Sequence, residues 1–420
     1  MKRRSRKPRI LFVAEAVTLA HVTRLLTLAK ALNQNAFDIF LAADRTYDLF
    51  LNDMPAKRLV ISSIPPKQFL RSLETGKWLY SASILGQYIE EELHLFENIK
   101  PDVVVGDFRH SLAVSAPVWG VPYLNLTNAY WSPYAASQAW TIPAYTATRF
   151  LGVNLANRIF QFAKEPLLRY NARPLNRVRK QYGLPAFESF LHGFTFGDYT
   201  LYADTPLIAQ TEHLPSNHIY LGPIVWSPPF THPEWWDSIP KNYPVIYATL
   251  GSSGASKTIA VVAEALADLP ITVLLATAGK SFPGAIPNNF LIADYLPGTA
   301  ACQKADFVIC NGGSPSAYQA LSYGKPIIGI ASNLDQFLSM KNIVAADAGI
   351  TLRTDTISSH TLRHATVRLS SDPKYVQAAK FVASDFARYD APTGFRQIIE
   401  EVVRDTTYLE VNHFANAQNY

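Results

Sequence analysis

Short, largely apolar runs alternate with longer stretches in which apolar side chains return at helical spacing. The first run is Ile10-Leu11-Phe12-Val13, and others cover 37–42, 103–105 and 119–126. Near-continuous apolar runs of this length predict strands buried on both faces, as in a parallel sheet. Between the first two, Leu25, Leu28, Ala29 and Leu32 predict a helix over 21–32, after a loop over 15–20. A second amphipathic pattern over 80–99 carries Glu90, Glu91 and Glu92 and predicts a helix with those acids on a solvated face. Pro206, Pro223, Pro228, Pro229, Pro233 and Pro240 then interrupt the pattern. Proline at that density disfavours helix and central strand, and it marks a linker. The strand–helix alternation restarts at 243, with runs over 245–250, 271–276, 307–309 and 327–330.

The fold class is therefore α/β, with two facing Rossmann-like domains of parallel sheet. A chain of 420 residues also exceeds the size at which one core keeps growing. The expected division is 1–226, a proline-rich linker over 227–241, a second domain over 242–385, and a helical segment over 386–420.

Open α/β sheets bind ligands at the carboxyl ends of their strands, and polar residues gather there. His21 follows the first run, and Asp107 follows Val103-Val104-Val105-Gly106. Taken alone, a His near a helix start such as His21 is more often structural than catalytic, and Asp107 also fits the N-cap of a helix starting near Ser111. In the second half, Gly251-Ser252-Ser253-Gly254 follows one strand and Asn311-Gly312-Gly313-Ser314-Pro315-Ser316 follows another. Each is a glycine turn opening a helix, whose free N–H groups can seat a phosphate or simply be capped by a serine.

From Asn311 to Asn342 the spacing of the two glycines, Ser316, Gly324-Lys325-Pro326 and Asp335-Gln336 resembles the donor-binding signature of the GT-B glycosyltransferases of family 1, the UDP-glycosyltransferase-like enzymes. Asn311 stands where that family commonly has His, and Gln319 where it commonly has Glu. Residues 19–29 resemble the family's amino-terminal motif, with Ala20 in place of a common Gly. The resemblance implies an inverting glycosyltransferase in which His21, oriented by Asp107, is the catalytic base. It implies that Gly251, Ser252, Ser253, Asn311, Gly312, Gly313, Ser314 and Ser316 hold the donor diphosphate. Tyr295 and Pro297 fall where the base is stacked, Gln319 meets the ribose, and Asp335 and Gln336 hold sugar hydroxyls. It also implies a last helix that crosses back onto the first domain. The donor would be a UDP- or dTDP-sugar and the acceptor a hydroxyl-bearing small molecule or lipid. Asn311 and Gln319 motivate an alternative, a GT-B-shaped helper that transfers nothing; a nucleotide-sugar epimerase is a further one.

Composition narrows the rest. The formal charge of +5 is modest, and part of it lies in Lys2-Arg3-Arg4-Ser5-Arg6-Lys7, read as a solvated tail. No nucleic-acid motif accompanies it. Over 149–179, seven basic residues face the single acid Glu165 with apolar residues interleaved. That pattern is an exposed helical face or a peripheral contact with an anionic membrane. Aromatic residues over 131–145 suit the wall of an apolar acceptor pocket. Neither an Asp-x-Asp triplet nor clustered His/Cys spacing occurs, so no metal or other cofactor is expected. Two cysteines make no disulfide framework, no run of eighteen apolar residues offers a membrane span, and no signal peptide is evident. A cytoplasmic location follows as the expectation, peripheral to the membrane if 149–179 engages it.

Overall fold

The apolar runs form two parallel sheets in a computed structural model that describes residues 6–417, apart from 52–53, 76–77, 138–139, 229, 241 and 251–255. The first contains β1 (Arg9–Ala14), β2 (Asp38–Ala43), β3 (Lys57–Val60), β4 (Val103–Asp107), β5 (Tyr123–Thr127), β6 (Tyr199–Tyr202) and β7 (His218–Tyr220). They pair in the order β3-β2-β1-β4-β5-β6-β7. The second contains β8 (Val245–Thr249), β9 (Thr272–Ala276), β10 (Phe290–Ala293), β11 (Phe307–Cys310), β12 (Ile327–Ala331) and β13 (Gly349–Arg353), ordered β10-β9-β8-β11-β12-β13. Strand order reverses between β1 and β4 in one sheet and between β8 and β11 in the other. These switch points, where Ala14 pairs with Asp107 and Cys310 with Thr249, are where such sheets open a crevice.

Both sheets are covered on both faces, and all five residues of β4, β5, β9 and β12 are buried. The last helix, Ala391–Ala417, returns to the first sheet and buries Phe395 and Ile399 beside Phe12. The segment between β5 and the long helix Val153–Gln181 also ties the halves together. Ala144 N–H donates to Ser332 O at 2.8 Å, Thr148 Oγ1 to Asp355 Oδ2 at 2.6 Å, and Arg353 Nη1 to Ile142 O at 2.8 Å.

Three expectations are corrected. The first helix is Leu19–Lys30, so His21 lies inside its first turn. Residues 119–120 end the helix Leu112–Trp119 at Gly120, and β5 starts only at Tyr123. Glu92 is fully buried instead of solvated, because Arg109 and two serines supply the partners that a buried carboxylate needs.

Candidate active site

The carboxyl ends of β1 and β4 lie side by side, so the loop after β1 brings His21 against Asp107. Asp107 Oδ1 sits 2.8 Å from His21 Nδ1. An ionised carboxylate only accepts, so Nδ1 carries the hydrogen and the lone pair of Nε2 is left for chemistry. Phe108, at φ +57° immediately after the strand, stacks its ring on the imidazole at 4.6 Å between centroids. Left-handed backbone at a bulky residue is strained and persists where neighbours hold it, here fixing the imidazole plane.

Asp107 is buried and its pKa is lowered. Burial pushes it up, but Arg24 overrides that, with His21 assisting. Arg24 Nε donates to Oδ2 at 2.8 Å and Nη2 to Oδ1 at 2.7 Å, a two-pronged clamp. Arg24 Nη1 continues to Asn128 Oδ1 at 2.8 Å. Asn128 in turn meets Asp204 at 2.9 Å, and Asp204 accepts from the Tyr318 hydroxyl in the second domain at 2.5 Å. The base is thereby wired to the helix that follows the second glycine turn. None of Arg24, Asn128 or Asp204 was singled out from sequence. Arg24 carried a usable signal, since it stands three positions after His21 on one helix face.

Beneath this loop lies a second buried network. Arg109 donates from Nη1 to Glu15 Oε2 at 2.9 Å and from Nε to Glu92 Oε1 at 2.6 Å, while lying 3.7 Å over the Tyr88 ring. Two carboxylates share one guanidinium, so one proton completes the set. Burial raises the Glu15 pKa to about 7 against the pull of Arg109.

Across the crevice, β11 is followed by Asn311, whose Oδ1 accepts from Gly313 N–H at 3.1 Å and fixes the turn. Gly312 adopts φ +79°, and a Cβ there would lie 2.6 Å from Met340 Cγ. The turn delivers the helix Ser314–Ser322 with Pro315 in its first turn. Its first N–H groups and macrodipole face the crevice and suit an anion. Asp335 opens the helix Leu334–Ala345, and its Oδ1 accepts from Tyr130 OH at 3.1 Å and Trp131 Nε1 at 2.9 Å across the domains. Gln336 is the partner in that helix's capping box, its Oε1 accepting from Ser332 N–H at 2.8 Å. Gln319 Nε2 donates to the Trp226 carbonyl at 2.7 Å, and its Oε1 lies where a Cβ on Gly298 would be, 2.3 Å away.

One cavity of about 370 Å³ spans the two sheets. Its wall includes His21, Asp107, Tyr295, Asn311, Gly313, Ser314, Ser316, Gln319, Asp335 and Gln336. Tyr295 sits there among Phe50 and Phe230, its ring edge-on to Phe50. Two predicted contacts do not reach it. Gly312 backs onto Met340, and Pro297 is the buried N-cap of the helix Gly298–Lys304. Gly251, Ser252 and Ser253 lie outside the described residues. Of the predicted aromatic wall, Trp131 reaches this cavity, whereas Trp140, Pro143 and Tyr145 line a neighbouring one. Among the described residues no group of three or more His, Cys, Asp or Glu side chains could hold a metal ion.

Comparison with known proteins agrees with this architecture. Residues 258–402 match the family described as erythromycin biosynthesis protein CIII-like, C-terminal domain. Over 401 residues the chain is 43% identical to a PGL/p-HBAD biosynthesis rhamnosyltransferase of Mycobacterium bovis (strain BCG / Pasteur 1173P2), covering 95% of this chain and 88% of that one. It is 42% identical to a PGL/p-HBAD biosynthesis glycosyltransferase of Mycobacterium tuberculosis (strain ATCC 25177 / H37Ra), covering 95% and 93%. An inactive PGL/p-HBAD biosynthesis glycosyltransferase of M. bovis is 41% identical over 263 residues, covering 62% and 72%. Among solved structures, the spinosyn forosaminyltransferase SpnP superposes with TM-score 0.70 at 17% identity, covering 94% of this chain and 99% of that one. A Streptomyces glycosyltransferase complexed with thymidine diphosphate superposes with TM-score 0.67 at 17% identity, covering 94% and 99%. With a His–Asp pair facing a glycine turn across two parallel sheets, and relatives this similar over nearly the whole chain, the protein belongs to the family 1 GT-B glycosyltransferases.

Proposed function

We propose that the chain transfers a sugar, with inversion, from a nucleoside-diphosphate sugar to a hydroxyl of a lipophilic acceptor. The observation that carries this reading is the His21–Asp107 pair, 2.8 Å apart, on the wall of the cavity that also holds the Asn311–Ser316 turn. His21 Nε2 takes the acceptor proton as its oxygen attacks the anomeric carbon, and Asp107 stabilises the imidazolium that forms. The bond to the diphosphate breaks on the opposite face, which inverts the centre. The departing charge falls on N–H groups of the Ser314–Ser322 helix start and on Ser316, without a metal ion. Asp335 receives sugar hydroxyls with the carboxylate that otherwise holds Tyr130 and Trp131. The relative named as a rhamnosyltransferase and the neighbour solved with thymidine diphosphate support a dTDP-deoxysugar donor, with UDP-sugars as the second class to test.

A lipophilic acceptor and a peripheral membrane contact are supported by the helix Val153–Gln181. It has two apolar faces: Leu168, Ala172, Leu175 and Val178 are buried, whereas Leu155, Ile159 and Phe162 are exposed, Phe162 at 87%. Arg158, Arg169, Arg173 and Arg177 are exposed beside them and suit an anionic surface. Among the described residues no helix is long and apolar enough to cross a membrane. The two cysteines are buried free thiols, in keeping with a cytoplasmic setting.

A second reading is a GT-B-shaped helper without transfer. It is favoured by the inactive relative and by Gln319, whose amide nitrogen is spent on the Trp226 carbonyl. Incubation with dTDP- and UDP-sugars and a panel of hydroxyl acceptors separates the two. Release of nucleoside diphosphate matched by an acceptor mass shift supports transfer, and one-bond C–H coupling at the product's anomeric carbon gives the stereochemistry. Donor binding with no release from any pair would favour the helper.

A further inference from the structure

Beside the reaction cavity lies a second one of about 320 Å³ beneath the long helix Val153–Gln181. The two adjoin: Leu73, Leu79, His110, Trp131, Phe190 and Leu334 contribute to both walls. Deeper in, the wall is Phe160, Leu168, Ala172, Leu175 and Trp140, all apolar or aromatic. At the outer edge stand Trp78 and Leu167, exposed by 39% and 42%, next to the outward apolar face of the same helix. A well-packed core does not leave such a space unfilled, since unfilled apolar volume forfeits contacts on every side.

Two polar atoms of this wall are also unfinished. His110 Nε2 and Trp140 Nε1 are buried and have no hydrogen-bond partner. Burial without a partner costs each of them stability that a ligand oxygen can restore. His110 stands where the two cavities meet. Burial lowers its pKa to about 4, so it presents a neutral ring to an apolar neighbour.

We propose that this side cavity holds the hydrocarbon arm of the acceptor, rooted on an oxygen at His110 where the two cavities meet, while the reacting hydroxyl lies at His21. The inference rests on the transferase reading for what the arm is attached to. It goes beyond that reading in giving the arm its own compartment, separate from the sugar-transfer crevice. Its occupant is an alkyl chain, since the deep wall offers apolar surface and no charge to pair apart from Lys164, which is already engaged with Glu165.

The test is binding of 4-alkoxyphenols to the full chain by calorimetry, from 4-ethoxyphenol through 4-butoxyphenol to 4-octyloxyphenol. Each added methylene should tighten binding about fourfold while it still enters the cavity, the ratio expected for burying one such group. Ala172→Trp fills the compartment, and Asn171→Trp, at a half-buried position on its edge, does so with less demand on packing. In a folded variant, judged by near-ultraviolet circular dichroism, 4-ethoxyphenol should bind as in the wild type and the chain-length gain should vanish. A flat series in the wild-type protein, or an unchanged gain in both variants, would overturn the assignment. Nucleoside diphosphate release is read separately. A chain that shows the gain yet transfers no sugar would count against the transferase reading and leave the arm compartment in place.

Discussion

Asp107→Asn changes one oxygen for an amide nitrogen at the point where two functions meet. In the wild type, the carboxylate accepts from His21 Nδ1–H and, through both oxygens, from Arg24. The amide can accept at one atom only, and its NH2 must face either the guanidinium or the imidazole. Facing the imidazole, it donates to Nδ1 and puts the hydrogen on Nε2, where the base needs its lone pair. General-base catalysis of this kind contributes on the order of 10²–10⁴ in rate, so kcat should fall by that factor. The same change leaves a guanidinium that is only 6% exposed without its counter-charge. Breaking one side of a buried pair costs about 3–5 kcal/mol. At about 2–4 °C per kcal/mol for a domain of this size, melting should drop by roughly 6–20 °C. The assay is turnover by nucleoside diphosphate release well below the variant's melting point, with donor affinity measured by calorimetry. Donor affinity should stay near wild type, because Asp107 lies on the acceptor side of the crevice. Wild-type kcat in a folded Asp107→Asn protein would show that the pair is structural.

Further outcomes follow from the same geometry. Asp335→Ala should raise the donor KM roughly 10–100-fold, the value of losing a hydrogen bond to a charged group, with kcat changed less; an unchanged KM would remove Asp335 from the sugar site. Glu15 gives a pH signature. Its folded pKa of about 7 exceeds the ordinary 4.5, so its stabilising contribution is present below pH 4.5 and is lost as pH rises through 7. The amount is on the order of 3 kcal/mol, and Glu15→Gln, which no longer titrates beside Arg109, should flatten the fall in melting temperature between pH 5 and 8; an equally steep fall would place the proton elsewhere. For the outer face of the long helix and the short helix Thr146–Leu151 before it, where Phe150 is also exposed, Phe162→Asp combined with Phe150→Asp should abolish co-sedimentation with anionic vesicles at low salt. Equal binding before and after would assign that face another role.

The parts legible in the sequence were those set by local chemistry. Apolar runs marked eight of the thirteen strands among the described residues, and the paired glycines marked the turn at 312. What escaped was set by distant neighbours. Glu92 reads as a solvated acid because nothing near it in sequence announces Arg109, which meets it from the end of β4. Arg24 reads as one more basic residue on a helix until β4 brings Asp107 beside it. Pro297 and Gly312 occupy motif positions, and the work visible at them is in the backbone, capping one helix and clearing Met340. The side cavity was hidden for the same reason. Trp140 and Leu168 lie far apart in the chain and share a wall only after the long helix packs down.

The decisive measurement is single-turnover transfer by His21→Ala beside the wild type, at donor concentrations that saturate both and with donor affinity recorded in parallel. If His21 is the base, the variant binds donor as before and its transfer rate falls by on the order of 10²–10⁴. Transfer at the wild-type rate, with donor equally bound, would mean that some other group accepts the acceptor's proton.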